Sequence, residues 1–276
     1  MIPLAVLDLD GTVIGKTGQV EACVWEAAER ARAAGIRLAV CTARPGFGVA
    51  ARVAERLDPD TPHIFQNGAQ ITYLDGDTLQ VAALKEASTA TLIHAARRLN
   101  VVLELYTTSS LYVERRTELS EAHAKMIGVH AIVRDLAEVA ASEPVVRAQW
   151  VVPPERLDDV LAVEAEEAHA HVATSPAQPG TYFVSVTRPG VDKGSAVALL
   201  ASRLEIDLRN VMGVGDSPGD LPLLERVGHP RVMASGDPEL TARWPDAVVP
   251  GVDACGAGEA LDQAVRLRAR TDGTDG

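Results

Sequence analysis

The sequence predicts an α/β protein, with a Rossmann-like parallel-sheet core and a second, smaller α+β domain inserted into it. Three observations carry that prediction. Near the N-terminus, short apolar runs alternate with apolar residues at helical spacing, the pattern of strands and helices in a parallel sheet. The same alternation returns in the last third of the chain. The stretch between them changes to hairpin-like runs and turn signals, which marks an insertion large enough for its own core.

The elements follow in order. Leu4 to Leu7 is an apolar run ending in Asp8, as expected of a strand buried on both faces. Val20, Cys23, Val24, Ala27, Ala28 and Ala31 follow helical spacing, and Gly35 stands where a helix stops. Ile36 to Cys41 is the next strand and leads into Thr42, and Ala50, Val53, Ala54 and Leu57 share one helical face. Asp75-Gly76-Asp77 is a turn between two short runs. In the middle, Glu86 to Leu99 is a helix. Val101 to Tyr106 and Leu111 to Arg115 are strands joined at Ser109-Ser110. Val145 to Val152 is a strand and Pro154 to Ala168 a helix, with Glu164, Glu166 and Glu167 on its solvated face. Tyr182 to Val186 is assigned to the core as a strand, followed by a helix at Asp192 to Leu204. A strand at Val211 to Val214 and a helix at Leu221 to Val227 come next. Arg231 to Met233 and Ala247 to Val249 are short strands, Gly258 to Leu267 is the last helix, and Thr271 to Gly276 a frayed tail. The expected domains are 1–80 and 182–276 for the core and 81–181 for the insertion.

Composition narrows the function. The 276 residues are 47% hydrophobic and 23% charged, with a formal net charge of -12. That acidity disfavours nucleic acid and anionic membranes as partners. No apolar run is long enough for a bilayer. The opening MIPLAVLDLD has no basic region and carries acids within its apolar stretch, so a cytoplasmic protein is expected. Cys23, Cys41 and Cys255 have neither the number nor the spacing of a disulfide framework or a zinc site, and read as buried or unreactive thiols. His94, His123, His130, His169 and His171 lack a metal-ligand spacing and read as surface or core histidines.

Four places can carry chemistry. Asp8 and Asp10 follow the first strand, two residues apart, so that both carboxylates can face one site, with Gly11 allowing a sharp turn. A calcium loop does not fit, because Val13 and Gln19 stand where such a loop needs glycine and glutamate. Thr42, ahead of Ala43-Arg44-Pro45, could offer a hydroxyl and a free N–H to a phosphate oxygen. Lys193 sits in the first turn of a helix capped by Asp192, where the helix dipole disfavours a cation. A bound phosphate would explain it. Gly215-Asp216-Ser217-Pro218-Gly219-Asp220 brings two more acids to a strand end. Each of these falls at a strand-to-helix junction or a helix start, and in a parallel sheet such junctions share one edge.

Asp-Leu-Asp-Gly-Thr at Asp8 to Thr12, Thr42-Ala43-Arg44-Pro45, Lys193-Gly194-Ser195 and Gly215-Asp216-Ser217-Pro218-Gly219-Asp220 occur in the order of four known motifs. With Gln66-Asn67-Gly68-Ala69, they resemble the haloacid-dehalogenase-like phosphatases, and within them the Cof-type sugar-phosphate phosphatases. The resemblance implies a cap domain between the second and third motifs. It implies a phosphatase acting on a small-molecule phosphate ester, with Mg2+ as cofactor. Asp8 would be the nucleophile and Asp10 the general acid and base. Thr42, Ala43 and Lys193 would bind the phosphoryl group, and Arg44 and Asn67 the substrate or cap. Asp8, the Asp10 carbonyl and Asp216 would hold the metal, with Asp220 binding it directly or through a neighbouring ligand. Gly219 replaces the family's usual Asn, and Ser235 lies in Met233-Ala234-Ser235-Gly236-Asp237, where a Gly-Asn-Ala segment is common. A phosphomutase, a phosphatase specific for sucrose phosphate or a glycosyl-phosphoglycerate, and a non-catalytic phospho-ligand sensor are the alternatives. The sequence leaves the ester and the oligomeric state open.

Overall fold

The computed structural model describes residues 2–174 and 178–272. In chain order the elements are β1 (Leu4–Leu7), α1 (Ala22–Ala33), β2 (Arg37–Val40), α2 (Val49–Leu57), β3 (His63–Phe65), β4 (Gln70–Thr72), β5 (Thr78–Val81) and α3 (Glu86–Leu99). There follow β6 (Val102–Tyr106), β7 (Leu111–Val113), α4 (Glu118–Ile127), β8 (Ala131–Val133), α5 (Leu136–Ser142), β9 (Arg147–Val152), α6 (Leu157–Leu161), β10 (His169–Thr174) and β11 (Tyr182–Thr187). The last are α7 (Lys193–Arg203), β12 (Val211–Gly215), α8 (Leu221–Leu224), β13 (His229–Met233), α9 (Pro238–Arg243), β14 (Val248–Val249) and α10 (Gly256–Asp272).

The chain forms two compact units. The first comprises Met1–Ala43, Ala50–Leu79 and Asp192–Gly276. Its sheet runs β14-β13-β12-β1-β2, every pair parallel. A parallel bridge between Cys41 and Ile64 brings β3 alongside β2. Strand β1 lies between β12 and β2, with Leu4 opposite both Val211 and Arg37. Its four residues are fully buried, as an apolar run covered on both faces should be. Leu4 and Val6 pack with Ala196, Val197 and Leu200 of α7 and Leu223 of α8. Each such valine or leucine contributes about 1.5–3 kcal/mol by leaving water. Helix α10 lies against α1, β1, β12 and β13.

The second unit comprises Arg44–Val49 and Gln80–Val191. Its sheet runs β10-β11-β9-β6-β7-β8, antiparallel except for the β7–β8 pair. Leu103, Leu105, Trp150 and Val184 join α3 and α5 residues such as Leu92, Ile93 and Val139 in one apolar cluster. A second buried set is polar. Glu104 accepts hydrogen bonds from Tyr106 Oη (2.7 Å), Gln149 Nε2 (3.1 Å) and the His123 ring at Nδ1 (2.8 Å). Ser185 Oγ donates to Gln149 Oε1 at 2.9 Å. Buried polar atoms that satisfy one another in this way avoid the cost of lost hydration.

Several expectations need correction. Tyr182–Thr187 pairs with β9 and β10 and belongs to the second unit, not the core. A short buried run does not reveal which sheet it joins. The expected helix from Pro154 to Ala168 is one 3-10 turn followed by α6, which ends at Leu161, so Glu164, Glu166 and Glu167 are not on a helix face. Helices α4, α5 and α9 and strands β8 and β10 are not among the elements expected from the sequence. Yet α4 carries its own signals: a capping box between Thr117 and Ser120, and Gly128 left-handed at its end. The last helix continues to Asp272, past the start of the expected tail, whose residues 273–276 lie outside the described residues. The cysteines also differ from expectation. Cys23 and Cys255 form a disulfide, with Cα atoms 6.3 Å apart and a sequence separation of 232. Spacing along the chain says nothing about thiols that folding brings together from opposite ends. Cys41 is the buried free cysteine.

Candidate active site

The junctions singled out in the sequence converge in the first unit. Asp8 follows β1 directly and donates its N–H to the Val214 carbonyl of β12 (2.9 Å), which extends the ladder to the end of the sheet. Its side chain is buried. Asp216 follows β12, and Asp220 closes a 3-10 turn over Pro218–Asp220. Carboxylate oxygens of Asp8, Asp216 and Asp220 all lie within 4.8 Å of one another. Asp10 is exposed and stands outside that carboxylate group. It sits in a tight turn in which Val13 and Ile14 donate their N–H groups to the Leu9 carbonyl (2.9 and 2.7 Å).

Lys193 is the first residue of α7, and the Asp192 cap with its Ser195 partner fixes the helix start. Its position at the positive end of a helix is explained by the acids around it. The ammonium donates to Asp8 Oδ1 and to Asp220 Oδ1, both at 2.5 Å, and is itself buried. Burial alone would lower its pKa, but the Asp220 and Asp8 carboxylates outweigh burial and hold it well above the ordinary lysine range. The other oxygen of Asp220 accepts from the N–H groups of Asp216 and Ser217 and from Ser217 Oγ, each at 3.0 Å. Thr12 Oγ1 donates to Asp216 Oδ1 at 3.3 Å. Thr12 and Ser217 were not assigned roles from sequence, although both stand inside the recognised motifs; a hydroxyl next to an acid carries little signal by itself.

Charge in this cluster is unbalanced. Burial, then repulsion from Asp220, raises Asp8 well above the carboxylate range, with Lys193 opposing. Burial and Asp220 push Asp216 up to about 6. Three converging carboxylates share one ammonium, so the group is short of positive charge. Hard carboxylate oxygens with this deficit suit a magnesium ion. Asp8, Asp216 and Asp220 are the side chains that would hold it.

Thr42 is buried beside this edge, but its N–H is not free: it donates to the Ile64 carbonyl (3.0 Å), while the Thr42 carbonyl accepts from Asn67 N–H (3.0 Å). The phosphate-binding N–H expected there is therefore already committed. Ala43 is exposed just after Thr42. Asn67 is half-buried and left-handed (φ 56°), tied to Thr42 by that hydrogen bond. Arg44 falls in the second unit. Of the cap histidines, His123 is a buried partner of Glu104.

The chain is similar to known proteins in sequence and in fold. A profile of haloacid dehalogenase-like hydrolases matches residues 5–250. YxeH of Bacillus subtilis (strain 168), named as a candidate phosphatase, is 26% identical over 251 residues, covering 87% of this chain and 90% of that protein. The 5-amino-6-(5-phospho-D-ribitylamino)uracil phosphatase YwtE of the same organism is 25% identical over 258 residues, covering 85% and 88%. The fold matches that of the HAD subclass IIB sugar phosphatase BT4131 with a TM-score of 0.76 at 19% identity, covering 94% of this chain and 98% of that one. The profile match and the buried acid cluster agree: the chain belongs to the haloacid dehalogenase-like hydrolases, as a phosphatase of the Cof type.

Proposed function

We propose that this phosphatase hydrolyses small phosphomonoesters, sugar phosphates foremost, in a magnesium-dependent reaction through a phosphoaspartate on Asp8. One observation carries the reading. The first acid after the central strand is buried, bonded to Lys193, and grouped with two further carboxylates. A buried carboxylate held in place by a cation keeps a fixed orientation, which supports its use as the nucleophile toward phosphorus.

In the first step an Asp8 oxygen bonds to phosphorus and the bond to the leaving alcohol breaks. Asp10 gives that alcohol its proton. In the second step Asp10 takes a proton from water, the water oxygen attacks the acyl phosphate, and the Asp8 carboxylate is restored with release of inorganic phosphate. Lys193, the Thr42 hydroxyl and the Ala43 N–H hold phosphoryl oxygens through these steps. The exposure of Asp10 suits a group that must meet both a leaving alcohol and water. Magnesium, when bound, supplies positive charge that offsets the repulsion between these acids and a phosphate dianion. Ester hydrolysis by YwtE and the sugar-phosphatase name of BT4131 support a small polyhydroxylated leaving group.

Phosphate release from an aryl phosphate and a panel of sugar phosphates, with and without magnesium, tests this. Magnesium-dependent release is expected, falling by at least about 10³-fold in Asp8→Asn. Substantial turnover left in Asp8→Asn, with deamidation excluded by mass spectrometry, overturns the assignment of the nucleophile.

A further inference from the structure

The disulfide lies among the segments that carry the acids. Cys23 is the second residue of α1, and Cys255 ends the 3-10 turn Val252–Ala254 just before α10. Both residues are partly exposed. From Cys255 one path leads to Asp216. The N–H of Val252 donates to Ser235 Oγ at 3.2 Å. Gly251 backs onto Ser235, where an added Cβ would come within 3.0 Å of the serine Cβ. The turn that starts at Ser235 then grips the metal-site loop. Asp237 N–H donates to the Asp216 carbonyl at 2.7 Å, and a Cβ on Gly236 would collide with the Asp216 backbone.

The path from Cys23 runs to the same place. The loop between Asp10 and α1 closes on itself through Gly15 N–H and the Gln19 carbonyl (2.9 Å). It abuts Asp253, two residues before Cys255: Lys16 N–H approaches Asp253 Oδ1 at 3.4 Å, and a Cβ on Gly15 would lie 2.5 Å from that oxygen. Thr12, in the preceding turn, donates to Asp216. The two loops are thus joined at Asp216 on one side and by the disulfide on the other, in a closed ring of contacts.

We propose that Cys23–Cys255 is a reversible thiol–disulfide exchange site, open to low-molecular-weight thiols and disulfides, whose oxidised state firms the loops around Asp216 and raises magnesium affinity. The magnesium half rests on the proposed function above. In the reductive direction a thiolate attacks one cystine sulfur, forming a mixed disulfide and freeing the other cysteine. A second thiol then attacks the small-molecule sulfur of that mixed disulfide, and the remaining protein cysteine leaves as a thiol. The protein gains two electrons and two protons, and two small thiols leave as their disulfide. A small-molecule disulfide reverses the process. Cys41 takes no part: burial pushes its thiol beyond the range in which a thiolate forms, and it is not accessible.

The experiment compares intact oxidised enzyme with the same enzyme treated with a dithiol, and with the double variant Cys23→Ser and Cys255→Ser. Labelling of the native protein should count no thiols before reduction and two after it, with Cys41 appearing only on denaturation. Titration calorimetry with magnesium alone should show affinity weakened about fivefold or more on reduction. The serine variant should match the reduced enzyme and ignore the dithiol. Equal magnesium affinity in both states overturns the proposal, as does a serine variant that still responds to dithiol. Calorimetry does not depend on turnover. An enzyme that hydrolyses no ester but shows the affinity change would sink the functional reading and keep this one.

Discussion

Two glycines in the site loops have opposite tolerances. Gly11 has φ +84°, and a Cβ there would collide with the Asp216 carboxylate. Gly219 has no positive φ, and a Cβ there meets nothing nearer than Ser217 Oγ at 3.5 Å. Gly11→Ala should therefore add about 1–2 kcal/mol of backbone strain and displace Asp216 as well. Magnesium half-saturation in the phosphatase assay should rise and the melting temperature fall. Gly219→Asn, which restores the residue usual in the family, should stay within about 0.5 kcal/mol of the parent and keep its turnover. A Gly219→Asn protein that loses magnesium dependence would show that the loop has rebuilt itself around glycine. Ser235 has a structural partner: its hydroxyl accepts from Val252 N–H, a contact that no motif would suggest.

At the scale of elements, one buried histidine ties β2, β3 and the end of α2. His63 Nδ1 accepts from Val40 N–H (3.2 Å), and Nε2–H donates to the Asp58 carbonyl (2.9 Å), so the network fixes the neutral ring. The Asp58 carboxylate in turn accepts from Leu38 N–H and Thr61 Oγ1. Burial pushes His63 down to about 4. Between that value and 6.5 the unfolded chain binds the proton and the folded one does not. Stability is therefore complete above that window and is lost as the pH falls through it, by roughly 3 kcal/mol. Urea midpoints measured from pH 7 to pH 4 should fall for the parent. They should fall less for His63→Gln, which can reproduce both hydrogen bonds without charging. The core elements were legible because each parallel strand is a continuous apolar run and each helix has a stripe. The site was legible because its acids lie at strand ends within a few residues of glycine. The inserted unit was harder to read. Its strand β11 resembles a core strand, and α5 has only seven residues, too few to show a period. The polar pairing of Glu104, Gln149 and Ser185 inside its sheet runs against the rule that charged residues face water. It could be recognised only once the register was known.

At the scale of the molecule, the net charge of -12 and the acid cluster favour cations and work against phosphate esters, which makes the local positive charge at Lys193 decisive for binding. The two units also differ in how far apart in sequence their strands lie. The second unit draws its six strands from one stretch of chain, Gln80–Val191, whereas β1 waits for β12, with Leu4 pairing with Val211. During synthesis the ribosome would release the whole of the second sheet while β1 still lacks the neighbour on one side. Contacts close in sequence form faster than distant ones, so pulsed hydrogen exchange during refolding should protect amides of β6, β9 and β11 before those of β1 and β12. Simultaneous protection would mean that the two units fold as one. With the expected order, the insertion is the first part of the protein to exist, and Asp8 acquires its surroundings only when the final third of the chain arrives. A ribosome stalled before residue 211 would hold a finished inserted domain attached to a core that cannot yet hydrolyse anything.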